Sequence, residues 1–215
     1  MAHTVPPPRM PLDSGRRARW YEDRLGWTTA DGPPVQLFTG LHFDVLELPA
    51  DAGFLLLKRW VRTGPVALEG NRMRLLVAAG SAEELPGLLA WLEWGGIGLG
   101  LSALGPGGVM VAPAPPGITD PHAPRGAAVW LRPPEPGRDV EPLLPALAPV
   151  GHSAGPGGGG GTPDLVRLVD AAANACHRAR LLRTNTAPPK AHAQALAFSY
   201  ASRISAGTRP RSLTL

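Results

Sequence analysis

Residues 40–53 of the chain read Gly-Leu-His-Phe-Asp-Val-Leu-Glu-Leu-Pro-Ala-Asp-Ala-Gly, and this stretch decides the predicted fold. Phe43 to Leu48 is an apolar run of strand length that carries two acidic residues. Pro49 ends the strand, because proline has no backbone N–H to donate to a neighbouring strand. A helix is predicted from Ala50 to Arg62, so acidic side chains lie where a buried strand passes into a helix.

Helical and strand patterns alternate around this central strand. The pattern predicts further helices at 13–25, 81–94, 143–147 and 164–182, a β-hairpin at 66–78, and strands at 97–101, 108–112 and 127–131. Ser81 and Glu84 form a Ser-x-x-Glu capping box at the start of one helix. We therefore expect the α/β (α+β) class, with a mixed-strand sheet and flanking helices.

Composition divides the chain into four segments. Glycine and proline number 27 and 26 of the 215 residues, and they concentrate outside the apolar runs. We expect a flexible N-terminus at 1–12, an α/β domain at 13–150, a glycine-rich linker at 151–162 and a basic helical tail at 163–215. The charge follows the same division: residues 151–215 hold eight Lys/Arg against two Asp/Glu, whereas residues 1–150 hold thirteen against fifteen.

The sequence also predicts the cellular compartment. Cys176 is the only cysteine, so no disulfide can form within the chain, as is usual in a reducing compartment. The N-terminal residues lack a charged segment followed by an apolar run, and no stretch of 18 apolar residues occurs. We expect a cytoplasmic protein that does not span a membrane.

Four stretches within residues 36–147 resemble a known family in order and spacing. They are an acidic strand followed closely by glycine, a strand after a glycine turn, a Gly-Gly-Val-Met-Val-Ala-Pro segment and an aromatic strand, at residues 43–53, 70–77, 107–116 and 128–131. Together they resemble the bifunctional DNA primase/polymerase N-terminal domain, the prim-pol branch of the archaeo-eukaryotic primase superfamily. The resemblance implies a nucleotidyltransferase fold that uses Mg²⁺ or Mn²⁺ when it is active.

The resemblance assigns candidate catalytic residues to the central strand. Glu47 matches the first acid of the family's metal-binding pair and is the candidate metal ligand, but the partner position is Pro49. Asp44 is a second catalytic candidate, although residues 44 and 47 point to opposite faces of a regular strand. His42 and Asp44, two residues apart, form an alternative pair on one face. In a short apolar strand, however, such residues more often serve as hydrogen-bonded structural groups.

The resemblance also assigns a nucleotide contact, where the chain departs from the family. Met73 lies near the position of the family's phosphate-binding histidine. Arg72 and Arg74 are therefore the nucleotide-binding candidates, and a solvent-facing hairpin explains them equally well. Asp120 and His122 in the following loop are an alternative site.

Three hypotheses about function follow from these residues. The first is a catalytically degenerate primase/polymerase-like domain, a pseudoenzyme that binds nucleotide or nucleic acid. The second is an active, metal-dependent DNA primase/polymerase, for which the acidic and histidine motifs are incomplete. The third is a regulatory or scaffold protein that docks on a protein partner through helix 164–182. No Walker A or Gly-x-Ser-x-Gly motif occurs, and one cysteine excludes a cysteine-based zinc site within the chain.

Overall fold

The computed structural model describes residues 12–30, 32–118, 123–147 and 163–186. The chain divides into two units, 1–180 and 181–215. The helices are α1 (Leu12–Leu25), α2 (Ala50–Leu57), α3 (Ser81–Trp91) and α4 (Leu165–Thr186), with a 3₁₀ turn at Glu141–Leu143. The strands are β1 (Thr29–Ala30), β2 (Gln36–Phe38), β3 (Asp44–Pro49), β4 (Val66–Glu69), β5 (Arg72–Val77), β6 (Ser102–Leu104), β7 (Val109–Val111) and β8 (Val129–Arg132). The predicted linker at 151–162 lies outside the described residues.

The strands form two sheets. A five-stranded sheet has the order β6-β3-β5-β4-β8, and a three-stranded sheet has the order β1-β2-β7. The α/β class with flanking helices is thus confirmed. The expectation of mixed strand directions is wrong, because every pair of strands formed by the described residues is antiparallel. One short turn, at residues 70–71, connects β4 to β5, as the hairpin pattern predicts. A hairpin of this kind joins antiparallel strands.

The five-stranded sheet has an apolar core on each face. On one face Leu46 and Leu48 of β3 pack in a cluster with buried residues of α2, α3 and α4. On the other face Val45 packs in a second cluster with Tyr21 of α1 and Met110 of β7. Successive strand residues point to opposite faces, so the central strand supplies both cores.

Element boundaries and one helix cap differ from the predictions. α2 ends at Leu57 instead of Arg62, where Arg59 N–H donates to the Leu56 carbonyl at 2.9 Å in a turn. The strand expected at 97–101 is displaced to β6, because Gly100 adopts a φ of +68°, outside the β region. α3 begins at Ser81 as predicted, but its N-cap residue is Gly80 and no side chain of its own caps it.

Helix α4 packs against the body through its apolar face. Asp164 Oδ1 accepts a hydrogen bond from Val166 N–H at 2.8 Å and caps the helix. Leu165, Leu168 and the small residues that follow them on this face are buried in the cluster that contains Leu46. Residues 163–180 are therefore part of the folded body, whereas the sequence assigned them to a tail. Among the described residues, no helix has the length and hydrophobicity to cross a membrane.

Candidate functional site

Glu47 of β3 lies at the centre of a group of ion pairs. Its Oε1 accepts a hydrogen bond from Arg72 Nε at 2.8 Å, and its Oε2 accepts one from Arg74 Nε at 2.9 Å. Arg74 Nη1 also donates to the carboxylate of Glu69. The register explains the arrangement. Glu47 lies opposite Arg74 across β3 and β5, and Glu69 lies opposite Arg72 across β4 and β5. The two arginines are two residues apart on β5, so all four side chains share one face of the sheet. We call these four residues the Glu47 cluster.

Arg72 makes two further hydrogen bonds within the protein. Arg72 Nη1 donates to the carbonyl of Gly100 at 3.0 Å, and Nη2 donates to Ser102 Oγ at 3.4 Å. Ser102 is paired with Glu47 on the β6 side, so the three strands β6, β3 and β5 converge on this guanidinium. Arg72 is thus fixed by its neighbours before any ligand is present.

The charges of the Glu47 cluster cancel. Two carboxylates face two guanidinium groups, and the side chains of Glu47 and Arg74 are only 17% and 15% exposed. Burial alone would raise the pKa of Glu47, but the hydrogen bonds and charges of Arg74 and Arg72 hold this pKa below its ordinary value of 4.5. The cluster therefore keeps Glu47 ionised, and it presents no excess of positive charge to a phosphate.

Asp44 has a different environment on the opposite face of β3. The residue is fully buried, and its Oδ2 accepts a hydrogen bond from the N–H of Ala82 at 2.8 Å. Ala82 lies in the first turn of α3, so Asp44 supplies the helix cap that Gly80 lacks. Burial raises the pKa of Asp44 above 3.8, against the opposing effect of the backbone hydrogen bonds. The structure thus gives Asp44 a structural role and does not bring it together with Glu47.

These residues do not fit a two-ion centre. Nucleotidyl transfer needs two divalent ions about 3.5–4 Å apart, held by carboxylates that converge on one point. Both oxygens of Glu47 already accept hydrogen bonds from guanidinium groups, so a cation there would lie against two positive charges. Within the described ranges, no three His, Cys, Asp or Glu side chains gather closely enough to hold a metal ion.

The other predicted site residues are separated. His42 Nδ1 and Glu141 Oε1 are hydrogen-bonded at 2.7 Å in an exposed position, so the ring of His42 is engaged with the 3₁₀ turn. Asp120 and His122 lie outside the described residues. A groove of about 440 Å³ between α3 and β6 is lined by Leu85, Leu89 and other residues that carry no charge. It therefore offers no acid or base to a substrate.

No protein-family model, no curated protein and no solved structure matches this chain. The function is therefore inferred from the chain's own residues. The motif order that resembles the primase/polymerase domain stays a prediction.

One exposed group of side chains, at residues 58–62, was not predicted from the sequence. Residues 58–62 read Lys-Arg-Trp-Val-Arg, and the sequence pattern assigned them to the end of a helix. In the structure they form a turn after α2, and the side chain of Trp60 is fully exposed. The signal was an aromatic residue between basic residues, a combination typical of nucleic-acid contacts.

Proposed function

We propose that this chain is a DNA primase/polymerase-like domain protein that is catalytically degenerate and binds nucleotide or nucleic acid without transferring nucleotidyl groups. The order of the four motifs and the excess of Lys/Arg over Asp/Glu, 21 against 17, support a phosphate-containing ligand. We also propose a cytoplasmic location, supported by the single cysteine.

The observation that carries the proposal is the pairing of Glu47. The residue that would hold the first metal ion is bound by Arg72 and Arg74. The position two residues further along the same strand face is Pro49, whose side chain has no atom that can bind a metal ion. Glu47 therefore has no second acid beside it on this face, as a two-ion centre requires, and the arginines satisfy its charge.

The proposal is tested by assaying synthesis and binding in one preparation. We expect no incorporation of deoxynucleotides on a primed or unprimed template with Mg²⁺ or Mn²⁺, and no difference between the wild type and Glu47→Ala. We expect fluorescence anisotropy to detect binding of labelled single-stranded DNA that weakens strongly between about 50 mM and about 200 mM salt, because phosphate contacts release counterions.

Two outcomes would contradict the proposal. Metal-dependent synthesis that disappears in Glu47→Ala would identify an active polymerase, the second hypothesis. An absence of salt-sensitive binding at micromolar protein would show that nucleic acid is not the ligand.

The scaffold hypothesis receives less support from the geometry. Helix 164–182 was expected to offer its apolar face to a partner, but Leu165, Leu168 and Cys176 on that face are buried against the body. Docking through this face would first require the helix to leave the core.

A further inference from the structure

Trp60 is the most exposed large apolar side chain among the described residues. Its exposure reaches 105% of the reference value, whereas the next tryptophan, Trp91, is 72% exposed. None of the described residues covers the indole ring. A tryptophan with both faces free is suited to stacking on another flat ring.

The turn that carries Trp60 is anchored on both sides. At its start Arg59 N–H donates to the Leu56 carbonyl at 2.9 Å. At its end the carbonyl and hydroxyl of Thr63 accept hydrogen bonds from Arg132 Nη1. Val61 packs against the core between these anchors. The neighbouring residue Trp60 is therefore directed outward by the packing of the turn.

The turn is also positively charged. Lys58, Arg59 and Arg62 flank Trp60, and no acidic residue occurs in the sequence between Asp51 and Glu69. Lys58 and Arg59 are exposed and form no ion pair with a described carboxylate. The charge contrasts with that of the Glu47 cluster, where each cation faces a carboxylate. This turn is therefore a basic surface of the described residues, of the kind that attracts phosphates.

We propose that residues 58–62 form a docking surface for single-stranded nucleic acid, with a base stacked on Trp60 and the adjacent phosphates contacted by Lys58 and Arg59. The inference rests on the proposed function and locates its ligand away from β3. A single strand fits because its bases expose faces that a duplex hides, and stacking on an aromatic ring is independent of sequence.

A lipid surface would need more apolar side chains to insert. Within residues 58–62, Val61 is partly buried against the core, so Trp60 is the one fully exposed apolar side chain of the turn. A single ring beside cations matches a base beside its phosphates more closely than an acyl layer.

The stacking contact is tested with two labelled single strands of equal length, oligothymidine and an abasic oligomer with the same phosphates. We expect Trp60→Ala to weaken binding of oligothymidine about tenfold and to leave the abasic oligomer unchanged. Trp60→Phe should restore most of the loss. The control Trp91→Ala removes another exposed tryptophan, close to the acidic Glu93, and should change neither affinity.

The phosphate contacts are tested by salt dependence. Replacing Lys58 and Arg59 by glutamine should reduce the slope of log affinity against log salt by about 1.4, since each phosphate contact on a single strand contributes about 0.7. The matched control replaces Arg19 and Arg24 of α1 by glutamine, which removes the same charge elsewhere, and should leave the slope unchanged. Equal effects of the two pairs would overturn the proposal in favour of a general charge effect.

The remaining outcomes separate this inference from the proposed function. Salt-sensitive binding by the wild type, with an oligothymidine affinity that Trp60→Ala leaves unchanged, would overturn the docking surface and leave the proposed function standing. An absence of binding by the wild type would overturn both. If Trp60→Ala instead lowers binding to phosphatidylserine vesicles while oligothymidine binding is unchanged, the surface is a lipid contact and the proposal is wrong.

Discussion

At the scale of single residues, the two acids of the central strand respond to pH with opposite signs. The pKa of Glu47 is lowered by its arginines despite its burial, so the unfolded chain binds more protons and stability rises with pH across that window. The pKa of Asp44 is raised by burial, so the folded protein binds more protons just above pH 3.8, and stability falls with rising pH there. Comparing a Glu47 variant with the wild type separates the two effects.

We predict that Glu47→Gln lowers the free energy of unfolding near neutral pH by about 1–3 kcal/mol, because two partly buried guanidinium groups lose their counterion. The stabilisation by Glu47 is complete above pH 4.5, the ordinary value, and is lost as the pH falls through the lowered pKa of the folded protein. The deficit of the variant should therefore shrink in acid. Urea denaturation at several pH values measures it.

The control for this prediction is an exposed ion pair. Glu135 and Arg138 form a salt bridge at 2.7 Å with side chains that are 67% and 69% exposed. Glu135→Gln should change the free energy of unfolding by less than about 0.5 kcal/mol, because solvent screens such pairs. A deficit for Glu47→Gln that is the same at all pH values would show that the carboxylate charge is not what stabilises the cluster.

At the scale of elements, helix α2 lies very close to the sheet through a glycine. A Cβ atom on Gly53 would lie 2.3 Å from Met73 Sδ and 2.8 Å from Met73 Cβ, and Met73 is fully buried in β5. Real Cβ atoms do not approach other atoms so closely. The glycine that follows the acidic strand is thus a packing requirement of this helix and sheet.

We predict that Gly53→Ala destabilises the protein by about 1–3 kcal/mol net, because overpacking outweighs the gain of about 1 kcal/mol from alanine's helix propensity. The matched control is Gly87→Ala in α3, where nothing lies within 4 Å of the new Cβ. That variant should be stabilised by about 0.4–1 kcal/mol. Thermal or urea unfolding measures both, and stabilisation of Gly53→Ala would contradict the packing argument.

At the scale of the whole molecule, α4 completes the core that the central strand begins. Leu168 is fully buried in the same cluster as Leu46 and Leu48, although about 120 residues of sequence separate them. The helix therefore contributes to global stability, as a core element does.

We predict that Leu168→Ala lowers the free energy of unfolding by about 2–5 kcal/mol, the usual cost of an unfilled cavity in a core. Leu181→Ala, on the same helix at a position that is 49% exposed, should cost less than about 0.5 kcal/mol. Equal small effects of the two variants in urea denaturation would show that α4 does not stabilise the body.

The sequence by itself determined the local elements of this protein: the central strand, the hairpin at 66–78 and the start of α3 at Ser81. Each depends on periodicity and turn residues that act over a few positions, so nearby residues are sufficient to specify it. The boundaries at Leu57 and Ser102 were missed, because they depend on packing and on the backbone conformation of Gly100.

Only the tertiary structure decided which partners the side chains of the candidate sites contact. Glu47 meets both arginines because the strand register places Arg74 opposite it and Arg72 opposite Pro49, two residues along the same face. Asp44 caps a helix that begins 37 residues later in the chain. The outward direction of Trp60 depends on Val61 packing against the core. Such contacts join residues far apart in sequence, and residue types alone do not specify which acid meets a cation, a helix or solvent.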